Sequence, residues 1–295
     1  MLTTVASMPL LRAYVTLTKP RIMALVVFTG VAAYLVAARG SVNWLSLAGL
    51  VGAGALGSGA ASAYNSYLDR DIDAKMSRTR MRPVPAGIIP PMHALAFAAL
   101  LTGLAAFLGV LTINSVALMF VLLGIVVYVG IYTIWLKRRS KWNIVVGGAA
   151  GSCAALAGGA AVAGSLDLVT GLIAALVFVW TPSHFWSLAV RAREDYASAQ
   201  IPMLPAVVGS DRAARWIVAN TLVLVPLSML FPLLGGFGLL YAVLAVTANA
   251  LLVYSNLRLL RDPSASNAWF AFKMSSPYLA VLFVAMILDG RGWFL

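Results

Sequence analysis

Apolar residues fill this chain in long runs, and polar positions gather in the gaps between them. Runs long enough to cross a bilayer, about 20 residues each, fall at 22–38, 44–64, 92–110, 115–136, 143–163, 168–190, 214–233, 237–257 and 271–289. The pattern predicts an all-α membrane protein with nine transmembrane helices, forming a single membrane-embedded domain over residues 1–295. Composition agrees: 62% of the residues are hydrophobic and only 10% are charged, too little polar surface for a water-soluble domain. The first run is too long for a signal-peptide core, so it is expected to stay as a membrane helix.

Charge gives the topology. Of the 21 Lys and Arg residues, 19 fall before the first run and in every second gap, against two, Arg39 and Arg291, on the other side. That bias predicts a cytoplasmic N-terminus. It also accounts for the net charge of +12 without nucleic acid, because cations between spanning helices are the usual signature of orientation. A multi-pass protein of the plasma (inner) membrane is expected.

The gaps on the basic side, 65–90 and 191–213, are long, and those on the opposite side are short, which places function on the basic face. Seven of the nine acidic residues lie there; Asp167 and Asp289 do not, and read as solvated loop ends. The single cysteine, Cys153, sits in the Gly/Ala-rich stretch GGAAGSCAALAGGAA, where it reads as a small packing residue. A weak repeat relates NSYLDRDID…RPVPAG to VRAREDYASAQ…IPMLPAVVG: each is an acidic helix end that runs into a proline-bearing loop closing on glycine. Duplicated units of this kind commonly face each other across a cavity, which would bring the two acidic loops together.

Candidate chemistry concentrates in NSYLDRDIDAKMSRTRMRPVPAG, where Asp69, Asp71 and Asp73 fall within five positions. Asn65, Asp69 and Asp73 are spaced i, i+4, i+8, so a helix continuing past the membrane aligns them in one stripe with steps of about 6 Å. Asp71 points elsewhere. Repulsion at this spacing costs only a few tenths of a kcal/mol, so a solvated helix end would tolerate it. A row of hard oxygen ligands also suits Mg²⁺ bridging carboxylates to a phosphate. Cations are near in sequence: Lys19 and Arg21 in TKPRI; Arg78, Arg80 and Arg82; and Lys137, Arg138 and Arg139.

The segments NSYLDRDIDAKMSRTRMRP, YTIWLKRR, NIVVGGAAG, TPSHFW and REDYASAQIPMLP, in this order over most of the chain, resemble the UbiA-type intramembrane prenyltransferases, and within them the branch that farnesylates heme. The resemblance implies a nine-helix bundle around a central cavity, Mg²⁺- or Mn²⁺-dependent use of farnesyl diphosphate, and heme b as substrate. The product would be heme o with diphosphate, made by prenylation of a vinyl group and addition of water, for heme-copper oxidase biogenesis; a heme a synthase would be the downstream partner. The first metal motif maps onto Asn65, Asp69 and Asp73. The second acidic motif maps onto Asp195, but its fourth position onward is Ala199, which breaks the symmetry of a second metal site. Ser183 stands where this branch commonly has a second proline.

On this reading Asp69, Asp73, Lys137 and Asp195 are catalytic, and Lys19, Arg21, Arg78, Arg82, Lys137, Tyr132 and Tyr196 hold the diphosphate. His184, beside Pro182 in an apolar helix, either contacts heme or satisfies a carbonyl freed by the proline. Trp180, Phe185 and Trp186 either line a prenyl or porphyrin channel or pack, with Trp186 the expected heme contact beside His184, and His93 reads as interfacial. Two rival readings remain: the same architecture acting on an aromatic quinone precursor or a lipid, and a secondary transporter. Transporters hold ionisable residues near the midplane, whereas these aspartates sit at helix ends among arginines.

Overall fold

A computed structural model describes residues 8–290. In chain order the helices are α1 (Leu10–Leu17), α2 (Pro20–Ala38), α3 (Trp44–Leu68), α4 (Arg70–Lys75), α5 (Pro91–Thr112), α6 (Ser115–Val126), α7 (Asn143–Gly147), α8 (Ala149–Ala163), α9 (Leu168–Arg191), α10 (Arg193–Ser198), α11 (Leu204–Val208), α12 (Ser210–Leu230), α13 (Leu239–Arg261) and α14 (Ala265–Asp289). Two of them run on as π-helix, α6 through Val127–Leu136 and α12 through Phe231–Gly235. Among the described residues nine segments are long and apolar enough to span a membrane, matching the nine apolar runs, with ends moved by at most six residues. The largest shift is at α14, which starts at Ala265 because Ser264 caps it.

Side chains start these helices in the way their sequences suggest. Asn43, Asn114 and Asp167 accept hydrogen bonds from the backbone N–H groups of Ser46, Ala117 and Thr170, at 3.1, 2.9 and 2.7 Å. Asp289 accepts from the N–H groups of Gly238 (2.6 Å) and Tyr241 (3.1 Å), and so caps α13 from another helix. Asp167 and Asp289 lie at helix ends as their sequence positions predict, and the fold adds that each carboxylate caps a helix. Orphan N–H groups at a helix start need an acceptor, and a carboxylate near the membrane edge supplies one.

Close helix contacts use the small residues. A Cβ on Gly158 would lie 2.1 Å from the Gly30 carbonyl oxygen, so α2 and α8 cross with their backbones touching. Cys153 is buried and unbonded where α8 faces α6, its Cβ 3.4 Å from where a Cβ on Gly124 would sit, as expected for a packing residue. Large apolar side chains point the other way: Leu104, Phe107 and Leu111 on α5 are 43%, 65% and 61% exposed, a stripe that only lipid can cover. The main core packs α2, α9, α12, α13 and α14 around Phe231, Tyr241 and Phe283. A second core lies beneath the long-loop face and ties Ile72 and Met76 to Trp186, Tyr196, Met203 and Ala268. It is this cluster that holds the two acidic loops against the bundle.

Candidate active site

The acidic stripe forms where α3 leaves the bundle. Asp69 interrupts the helix (φ −94°, ψ 9°), and α4 resumes after it. The i, i+4 ladder nevertheless survives the break: the Asp69 N–H donates to Asn65 O (2.9 Å) and the Asp73 N–H to Asp69 O (2.7 Å). Asn65, Asp69 and Asp73 thus stay in line, and at 3%, 0% and 2% exposure they face inward rather than toward solvent. Asp71 diverges as its spacing predicts. Its carboxylate takes a two-pronged pair from Arg138 (2.7 and 2.8 Å), whose guanidinium also donates to Leu68 O (2.9 Å). The Arg138 contact holds the Asp71 carboxyl below the usual carboxylate range.

Three cations meet the stripe. Lys137 pairs with Asp69 Oδ2, Arg82 with Asp73 Oδ2 at 2.8 Å, and Lys19 donates to Asn65 Oδ1 at 2.8 Å. Asn65 in turn donates to Asp69 Oδ2 (2.6 Å) and Thr133 Oγ1 (3.1 Å). Two of the cations arrive by a local device. The π-helix gives the Lys137 N–H a partner five residues back, Tyr132 O at 2.8 Å, and this wider turn sets the angle at which Lys137 leaves the helix. Lys19 is left-handed (φ 50°, ψ 65°), a conformation costing a non-glycine residue about 1–2 kcal/mol. Such strain concentrates at functional sites. Burial, and then the neighbouring charges of Arg82 and Lys137, push the Lys19 ammonium down to about 7. With Lys19 protonated, three cations against two carboxylates leave the cluster in want of an anion.

Asp69 Oδ1 is buried with no hydrogen-bond partner. A carboxylate oxygen left dry costs about 1–3 kcal/mol or more, so its natural occupant is a donor or a cation. Among the described residues no three His, Cys, Asp or Glu side chains converge on one point. The protein therefore offers a partial shell of amide and carboxylate oxygens, which fits Mg²⁺ whose remaining ligands come from water and phosphate.

The other expected site residues fall in different places. Arg21 and Arg78 are exposed, on the same face as the cluster. The Tyr132 ring stacks on Tyr128 (5.5 Å between centroids) and lies 5.9 Å from the Lys137 ammonium. A Cβ on Gly147 would come within 2.7 Å of that ring, so the glycine makes room for it. Tyr196 is buried in the second core, and the turn beneath it closes through Gln200 (φ 57°), with the Ile201 N–H donating to Tyr196 O at 2.9 Å. The two acidic loops do meet. Asp195 accepts from the Ser77 N–H (3.1 Å), Ser77 Oγ (2.7 Å) and the Arg78 N–H (3.3 Å), so its carboxylate braces the first loop. Against the opposing pull of burial, these bonds hold the Asp195 carboxyl below its ordinary range.

His184 and Trp186 face different ways. His184 stacks between Trp180 (4.3 Å) and Phe272 (4.4 Å), and its Nδ1 lies 2.5 Å from Ser275 Oγ. The Ser275 hydroxyl also lies 2.8 Å from Phe272 O; when it donates there, the imidazole supplies Nδ1–H and its Nε2 lone pair is free. The carbonyl-satisfying alternative for His184 is not the one the fold uses. Trp186 packs in the second core, 6.2 Å from the ring of Trp142. Sequence reasoning passed over Thr133, Ser77 and Ser275. All three are small hydroxyl residues whose roles arise only from partners far along the chain.

The sequence profile of the UbiA prenyltransferase family matches residues 26–277. Protoheme IX farnesyltransferase 1 of Cenarchaeum symbiosum is 44% identical over 283 residues, 94% of this chain and 95% of that one. A solved structure of digeranylgeranylglyceryl phosphate synthase superposes with a TM-score of 0.76 at 19% identity, over 96% of this chain and 99% of the other. A UbiA homologue from Archaeoglobus fulgidus, bound to GPP and Mg²⁺, gives a TM-score of 0.66 at 16% identity, over 93% and 99%. At such identities the likeness to the two solved structures establishes the fold.

Proposed function

The chain belongs to the UbiA prenyltransferase family, and from that premise we infer that it transfers a farnesyl group from farnesyl diphosphate to a vinyl group of heme b, with addition of water, giving heme o and diphosphate. The near full-length relative that carries the name protoheme IX farnesyltransferase supports this acceptor and donor. One observation carries the reading into the site: the dry Asp69 oxygen set among Lys19, Arg82 and Lys137.

Farnesyl diphosphate is an allylic ester. Breaking its C1–O bond leaves a delocalised cation on the prenyl chain and an extra negative charge on the departing diphosphate. The residues for that charge are Lys19, Arg82 and Lys137, which release their carboxylate and amide partners to take up phosphate oxygens, with Arg21 and Arg78 on the approach. Asn65, Asp69 and Asp73 would hold Mg²⁺, a reading in keeping with a solved UbiA homologue that is bound to GPP and Mg²⁺; when bound, the metal would supply Lewis-acid neutralisation of the diphosphate. Tyr132, whose ring lies 5.9 Å from the Lys137 ammonium, and Tyr196 would orient the diphosphate. Asp195 positions Ser77 and Arg78, and so fixes the loop from which Arg82 reaches in.

The farnesyl chain lies among the apolar helices, where water cannot quench the cation early. The vinyl carbon bonds to C1, and the cation formed beside the porphyrin takes the oxygen of one water, which then loses a proton. His184 is the residue assigned to the heme, through Nε2 in the tautomer that keeps the proton on Nδ1. The basic face is the cytoplasmic one, in the plasma membrane, on the strength of the 19-to-two charge bias.

Incubating the membrane-embedded protein with labelled farnesyl diphosphate and heme b tests the acceptor. The expected product has the mass of heme b plus farnesyl plus water. Labelled diphosphate turned over with no heme-sized product would contradict the assignment.

A further inference from the structure

Between α9 and α14 four rings stack face to face. Trp180 lies on His184 (4.3 Å, 22°), His184 on Phe272 (4.4 Å, 30°), and Phe272 on Trp269 (5.2 Å, 17°). The column ends at the basic face with two cations over one indole: Arg191 is 4.5 Å from the centre of Trp269, and the Lys273 ammonium 5.8 Å. Helical spacing produces the arrangement, since 180, 184 and 191 share one stripe of α9 and 269, 272 and 273 one face of α14. Among the described residues neither cation has a carboxylate within ion-pair distance, although each is exposed and next to a membrane edge. Asp195, close by in sequence, spends its carboxylate on Ser77 and Arg78. Two like charges held against one ring repel, and an anion seated between them relieves that repulsion.

We propose that Arg191 and Lys273 bind the two propionate carboxylates of the heme acceptor, a proposal that rests on the heme-farnesylation reading. Heme b is a flat aromatic macrocycle with its two carboxylates on one edge and its vinyl groups away from that edge. A stack of rings that ends in two unpaired cations matches this polarity in shape and in charge. Guanidinium and ammonium groups bind carboxylates through charge-assisted hydrogen bonds, the guanidinium with two prongs. Holding the carboxylate edge at the basic face sends the vinyl edge down into the bundle, where the farnesyl chain lies. The pair thus orients the acceptor and serves as a specificity device, since esters and apolar porphyrins lack the anchor.

The test compares heme b with its dimethyl ester, whose carboxylates are blocked, on purified wild-type protein. Binding is read from the heme absorbance on titration, and turnover from the KM for each heme. The wild type should bind the diester roughly tenfold more weakly than the free acid, the worth of one to two charged hydrogen bonds. Arg191→Gln and Lys273→Gln should weaken free-acid binding severalfold, with diester binding and the KM for farnesyl diphosphate unchanged, while Arg191→Lys keeps most of the preference. Equal binding of acid and diester by the wild type, or variants that lose both alike, would overturn the pair's role. Should the wild type farnesylate neither heme, the acceptor reading falls first and this assignment with it.

Discussion

At the scale of single residues, two pairs of opposite charge sit a few positions apart and should behave differently. Asp69 is fully buried, with one oxygen on Lys137 and the other dry, whereas Asp71 and Arg138 are half-exposed. Changing Asp69 to Asn keeps the shape and removes the charge, and the account expects turnover to fall on the order of a hundredfold or more. Arg138→Ala removes an exposed pair worth about 0–1 kcal/mol, and should cost little stability and leave turnover within a few-fold. Steady-state kinetics with farnesyl diphosphate and heme b, beside a thermal midpoint in detergent, separate the two. The contrast between Asp69 and Asp71 was legible in the sequence, because a period of four residues assigns them to different faces. That Asp195 would brace Ser77 was not legible, since nothing local to either residue records a contact across 118 positions.

At the scale of elements, the site depends on how the π-helix from Val127 to Leu136 packs against short α7. Its ten residues, VYVGIYTIWL, are apolar or aromatic apart from Gly130 and Thr133, and no period in them distinguishes five residues per hydrogen-bonded turn from four. The span was readable and its widening was not. Gly147 is where the packing is tightest: a Cβ would lie 2.7 Å from Tyr132 Cδ2 and 3.4 Å from its Cβ, near the root of the side chain rather than its mobile tip. Gly147→Val should therefore displace the Tyr132–Lys137 segment, cost about 1–3 kcal/mol of stability, and raise the KM for farnesyl diphosphate more than that for heme. Equal rises in both would argue that α7 only supports the bundle. Asp289 teaches the same lesson in reverse, since the sequence marks a lone acid at a helix end and the fold reveals that it caps a different helix.

At the scale of the whole molecule, hydrophobic run lengths gave nine helices because a bilayer leaves few alternatives for an apolar segment of this size. The weak repeat also has a physical counterpart: its two acidic loops meet where Asp195 reaches Ser77 and Arg78. Orientation rests on charge alone, and chemical labelling can check it. The native Cys153 is buried, so it contributes little background. In intact cells, Ser41→Cys should react with an impermeant maleimide and Arg80→Cys only after permeabilisation; the reverse pattern would invert the topology.

The binding claim, that Asn65, Asp69 and Asp73 and their three cations seize a metal diphosphate, admits one direct measurement. Equilibrium binding of an inert thio analogue of farnesyl diphosphate should require Mg²⁺ in the wild-type protein, disappear on chelation, and drop at least tenfold in Asp69→Asn at fixed Mg²⁺, the loss expected from a charged contact. Binding that is as tight without the metal, or unchanged in Asp69→Asn, would contradict the account.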